Sequence, residues 1–215
     1  MNMTETEKLQ LADILCGVVV PLIVGVIIIA LPAIIAPGAA AMFGEMSPIP
    51  IILTIGFAQM VILGVPLFLG LIWNKWAGGA AGFLLGTLWY IANAGMYTFD
   101  YFAWGYTEWN FFRDVSFLGY IVNAMLIGYI AGSLNKKSFS FKRMLVSSLI
   151  ASIITAVFQF ILNYQFALEP SRNMTLADPG YAFFLIIVPQ IALAIIVPII
   201  AKVFTWYGIY PGGRT

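Results

Sequence analysis

The chain has 215 residues, 62% of them hydrophobic and only 9% charged, with a net charge of +1. A soluble domain carries roughly 25% charged residues, so this chain cannot cover a water-facing surface and reads as an integral membrane protein. The near-neutral balance argues against a nucleic-acid partner. The absence of histidine removes the usual zinc sites and His-based acid–base chemistry, and the single Cys16 excludes an internal disulfide.

In chain order, residues 1–11 form a polar segment containing Glu5, Glu7 and Lys8, unlike the basic start of a secretory signal. A bilayer core of about 30 Å needs about 20 apolar residues in a helix. Stretches 12–36, 50–73, 77–97, 115–134, 143–165 and 181–206 meet that demand. Backbone groups in lipid must bond internally, and no alternating strand pattern appears, so the expected fold is all-α with six transmembrane helices. Residues 12–206 are then one transmembrane domain, and 207–215 form a tail.

Threading these six spans puts Lys8, Lys75, Lys136, Lys137, Lys142, Arg143, Lys202 and Arg214 on one side, against Arg113 and Arg172 on the other. Excess Lys and Arg marks the cytoplasmic face, so both termini are expected in the cytoplasm of a multi-pass cell-membrane protein. The short turns 73–75 and 135–143 face inward, and the longer connections 37–49, 98–114 and 166–180 face outward. Gly78, Gly82 and Gly86 recur every four residues and predict a close helix contact. Pro189 and Pro198 predict a bent last span. Asn173-Met174-Thr175 fits a glycosylation sequon on an outer loop.

No acidic or basic residue lies deep in a span, which argues against a proton relay or a voltage sensor. The polar residues at depth are amides: Asn93, Asn123, Gln159, Asn163 and Gln190. Such amides serve either as glue between helices or as paired donors and acceptors for a neutral polar ligand. Most lie toward the outer half, below TFDYFAWGYTEWNFFRD at 98–114. That loop reads as interfacial anchoring, as the wall of a ligand site with Tyr97, Trp104 and Glu108, or as a docking surface for another subunit. Phosphate-binding loops, nucleophile–base pairs and metal-ligand pairs are absent from the sequence, so no enzymatic activity is expected.

WNKWAGGAAGFLLGTL (73–88) makes a tight Gly/Ala-rich turn, and LIGYIAGSLNKKSFSFKRMLVSSLIAS (126–152) holds a basic inner turn. With six spans, inward termini and longer outer loops, this layout resembles the substrate-binding S components of energy-coupling factor transporters. Those proteins often carry Ala-x-x-x-Ala on the first helix, where this chain has Ala12-x-x-x-Cys16. The resemblance implies a pocket at the outer ends of the third to sixth spans, formed by Asn93, Tyr97, Trp104, Glu108, Asn123, Gln159, Asn163 and Gln190. It also implies capture of a small polar or heteroaromatic solute such as a vitamin, with a transmembrane coupling subunit and ATPases as partners. The competing expectation is a non-catalytic structural subunit of a larger membrane complex.

Overall fold

The structure, a computed structural model, describes residues 49–103, 111–168 and 171–207, together with Ile23. They form α1 (Ile49–Ile72), α2 (Lys75–Ala103), a 3-10 turn (Phe111–Arg113), α3 (Val115–Asn135), α4 (Phe141–Phe166), a short α5 (Ser171–Ala177) and α6 (Pro179–Trp206). No strand occurs among the described residues. Among the described residues three helices, α3, α4 and α6, are long and apolar enough to cross a membrane. The expected span 12–36, apart from Ile23, lies outside the described residues, as do Ala12 and Cys16.

Local chemistry sets the helix starts. Asn74 accepts from the backbone N–H groups of Trp76 and Ala77, each at 2.9 Å, and so caps α2 immediately after α1 ends. Asp178 accepts from the Tyr181 N–H at 2.9 Å, and Pro179 occupies the first turn of α6, where a missing N–H costs nothing. The turn after α3 closes with two successive left-handed residues, Lys136 (φ 49°) and Lys137 (φ 59°). The Lys136 N–H returns to the Gly132 carbonyl at 3.1 Å.

Asp114 does more than start a helix. One carboxylate oxygen accepts from the Ser116 N–H at 3.1 Å and from the Ser116 hydroxyl. The other accepts from the Leu168 N–H at 3.2 Å, just past the end of α4. The side chain is fully buried, so one residue caps α3 and ties it to α4. It is the last residue of the connection 98–114, and its role there is structural.

α3 is the hub of the packing, in contact with α1, α2 and α4, while α6 lies against α4 and α1. Two lipid-soluble helices gain little from the hydrophobic effect, so contact depends on close van der Waals fit and small residues. A Cβ added at Gly82 would lie 2.0 Å from the Ala124 carbonyl oxygen, and one at Gly86 would lie 2.8 Å from the Ile121 Cα. One at Gly70 would lie 2.2 Å from the Gly128 oxygen, and one at Gly128 would lie 2.6 Å from the carbonyl oxygens of both Gly78 and Pro66. The predicted glycine face of α2 is therefore real, and its counterpart on α3 is Ala124, Gly128 and Gly132.

Three boundaries differ from those expected. α2 continues through Ala103, so the first part of the aromatic connection is helix. Its last part is the 3-10 turn, whose Phe111 is fully buried and packs on Tyr90 and Phe117 with ring centroids 4.8 and 4.6 Å away. Burial of this ring overrides the polar character of its neighbours. The connection 166–180 contains α5, which holds the exposed Asn173, while Thr175 of the same sequon is buried. The inner turn narrows to 136–140, because Arg143 donates to the Leu134 carbonyl at 3.2–3.3 Å and draws α4 close to the end of α3. α6 runs as one helix through both Pro189 and Pro198.

Four stability outcomes follow, each read by thermal unfolding in detergent. Gly82→Ala should destabilise by about 1–3 kcal/mol through overpacking against backbone. Gly79→Ala should be near neutral, because its Cβ would meet nothing closer than 3.7 Å. For the buried carboxylate, Asp114→Ala should lose the cap, about 1 kcal/mol, and also strand the Leu168 N–H, about 1–3 kcal/mol. Asp114→Asn should fall between Ala and the native protein, since its amide oxygen can still cap α3.

Candidate functional site

α4 carries Ser148, Ser152, Thr155 and Gln159 at intervals of three or four residues, which places them on one helical face. All four are buried. This polar face turns toward α3 and α6, the two long helices that α4 packs against. The apolar side chains Val146, Ile150, Ile153, Val157 and Ile161 of α4 are exposed. The helix is thus inverted relative to a soluble one, with hydroxyls and amides inside and aliphatic residues outside. That is the arrangement lipid solvent favours.

Several of these polar groups find partners inside the bundle. Ser148 donates to the Met144 carbonyl at 2.8 Å, and Ser147 to the Arg143 carbonyl at 2.7 Å, both within their own helix. The Thr155 hydroxyl lies 2.8 Å from Gln190 Oε1 on α6 and 2.9 Å from the Ala151 carbonyl. One proton serves one acceptor at a time. Turning the Gln190 amide over sets its NH2 against the hydroxyl oxygen and frees that proton for Ala151. Gln159 Nε2 donates to Asn163 Oδ1 at 2.9 Å.

Three oxygens on this seam have no hydrogen-bond partner among the described residues. They are Asn123 Oδ1 on α3, and Gln159 Oε1 and Ser152 Oγ on α4. Asn123 and Gln159 are each 2% exposed. The Gln159 amide lies against Gly119, where an added Cβ would be 3.2 Å from Oε1. Asn123 is one helical turn from Gly119 on the same face of α3. An orphaned buried acceptor costs about 1–3 kcal/mol, so these two carbonyls are the places in the seam with unmet demand for a donor.

The structure places four of the residues singled out in the sequence along one seam. Asn123, Gln159, Asn163 and Gln190 share the α3–α4–α6 seam, in the half of the bundle away from the two tight turns. Asn93 and Tyr97 fall on α2, but their side chains lie outside the described residues, as do Trp104 and Glu108 entirely. The serines and Thr155 were missed, although their spacing on α4 was readable. Asp114 is the one acidic or basic side chain buried among the described residues, and it caps a helix. No cluster of metal-ligating side chains occurs among the described residues.

Fold and seam together define an all-helical, membrane-embedded protein whose α3–α4–α6 seam is polar and uncharged. No protein-family model, curated protein or solved structure matches the chain.

The Thr155–Gln190 contact can be isolated by a double-mutant cycle. Thr155→Val alone should destabilise by about 1–3 kcal/mol, because it leaves the Gln190 amide buried and unpaired. Adding Gln190→Leu should recover most of that loss, and the non-additivity in thermal unfolding measures the bond.

Proposed function

We propose that the chain is a membrane substrate-binding subunit for uptake of a small polar or heteroaromatic solute, such as a vitamin, powered by a separate ATPase module. The observation that carries this reading is the pair of buried, unpartnered amide oxygens on Asn123 and Gln159. A ligand N–H or O–H would offset their cost, and the lack of charge around them suits a neutral group. The chain has no nucleotide-binding loop, so ATPases and a transmembrane coupling subunit are the partners this mechanism needs.

The orientation belongs to the same proposal. Six spans with both termini in the cytoplasm of the cell membrane set the basic turns inward, by the excess of Lys and Arg there. The amide half of the seam then faces outward beneath the connection 98–114. Solute enters from that side, and a coupled partner drives release.

A second reading keeps support from the Thr155–Gln190 and Gln159–Asn163 bonds, which are what helix-to-helix and within-helix glue require. There the chain is a non-catalytic structural subunit of a larger complex.

Native mass spectrometry of protein purified in mild detergent separates them. A retained small molecule is expected, with Asn123→Ala and Gln159→Ala each lowering its retention roughly five-fold to a hundred-fold. Retention unchanged in both variants sinks the solute-binding reading. Stoichiometric co-purification with an enzyme complex that lacks an ATPase supports the second one. A cysteine placed at Ser138 should react with an impermeant thiol reagent only in inside-out vesicles.

A further inference from the structure

We infer that the turn between α3 and α4 is a binding surface for the headgroup of an anionic phospholipid at the membrane interface. Three elements bring cations to this one turn. Gly132, one helical turn before Lys136, lies against Lys75 at the start of α2, where an added Cβ would be 2.7 Å from the Lys75 Cα. Lys202, near the end of α6, donates to the Phe139 carbonyl at 2.9 Å. Arg143 donates to the Leu134 carbonyl. These cations are partly spent on backbone carbonyls or aromatic rings, since Lys75 Nζ lies 5.4 Å from the Trp76 ring centroid and 5.5 Å from that of Tyr129.

Lys136, Lys137 and Lys142 are exposed in the middle of that ring of charge. Two successive left-handed positions would be filled at lower steric cost by glycine or asparagine. The chain places lysine at both, with φ of 49° and 59°. The turn spends conformational energy to hold two ammonium groups on a short, helix-anchored scaffold. Among the described residues no acidic side chain lies at this end of the bundle; Asp114 and Asp178 start helices at the opposite end.

The neighbours select a lipid over a soluble phosphate. Trp76 is 68% exposed beside the cations, and Phe139 and Phe141 are also exposed in and next to the turn. Aromatic rings at a membrane boundary sit at headgroup level, so the surface offers positive charge to a phosphodiester and apolar area to the glycerol and upper chains.

The test compares the purified protein in nanodiscs of phosphatidylcholine with and without phosphatidylglycerol, reading bound lipid by native mass spectrometry after transfer to detergent. Wild type should retain phosphatidylglycerol in preference to phosphatidylcholine, and the preference should fall as salt rises. The combined variant Lys136→Asn, Lys137→Asn, Lys142→Gln should lose that preference by on the order of a hundred-fold, about five-fold per lysine. Asparagine suits the left-handed positions, so thermal unfolding should show the variant at least as stable as wild type. Arg172→Gln, at the other end, should change nothing. Equal retention of the two lipids by wild type, or a preference independent of salt, overturns the inference without recourse to any variant. So does an unaltered preference in the triple variant, or displacement of the lipid by millimolar inorganic phosphate.

Discussion

The bundle depends on backbone approaching backbone at Gly128. There the carbonyls of Pro66 on α1 and Gly78 on α2 come within 2.6 Å of where a Cβ would stand on α3. Three helices therefore meet where a single methyl group has no room. In a bilayer, helix surfaces gain little by leaving lipid for one another, so the contact must supply its own attraction through close van der Waals fit. The same line continues through Gly82 and Ala124 in one direction and Gly132 and Lys75 in the other. It fixes the depth of α2 on α3, and through the tight Asn74 turn it fixes α1 as well.

With that side of α3 committed to small residues, its opposite side is left for α4. There the packing is polar. Asn123, Ser152, Thr155, Gln159 and Gln190 fill the seam, and many of the larger aliphatic residues of α4 and α6 turn outward. Polar groups are held away from lipid because an unmet donor or acceptor there has no water to turn to. Thr155, Gln190 and the Gln159 amide N–H find partners within the seam. The oxygens of Asn123, Gln159 and Ser152 are the exceptions, and they give the interior its chemical character: neutral and rich in acceptors.

Much of this was legible in the sequence. Apolar run lengths located α1, α3, α4 and α6 to within a few residues, and the four-residue glycine spacing identified the packing face of α2. The amides at Asn123, Gln159, Asn163 and Gln190 stood out because amides are costly in lipid. The aromatic connection was harder to read. Its composition resembles an interfacial loop, yet its ends serve as a helix extension, a buried ring at Phe111 and a buried cap at Asp114. A buried carboxylate and an exposed one look alike in sequence, because only the arrival of Leu168 from elsewhere in the chain decides which it is.

The sequence by itself determined the solvent this protein is built for and its helical class, because hydrophobicity, run length and the backbone's need for internal bonds are local properties. It also determined which residues were small enough for close approach. Only the tertiary structure decided how the polar groups were used. Thr155 meets Gln190 across 35 positions of chain, and Asp114 meets Leu168 across 54. Whether an amide is paired or left with a free acceptor depends on what the opposite helix presents at that height. The glycine contact at the centre of the bundle sets that register, and no local pattern records it.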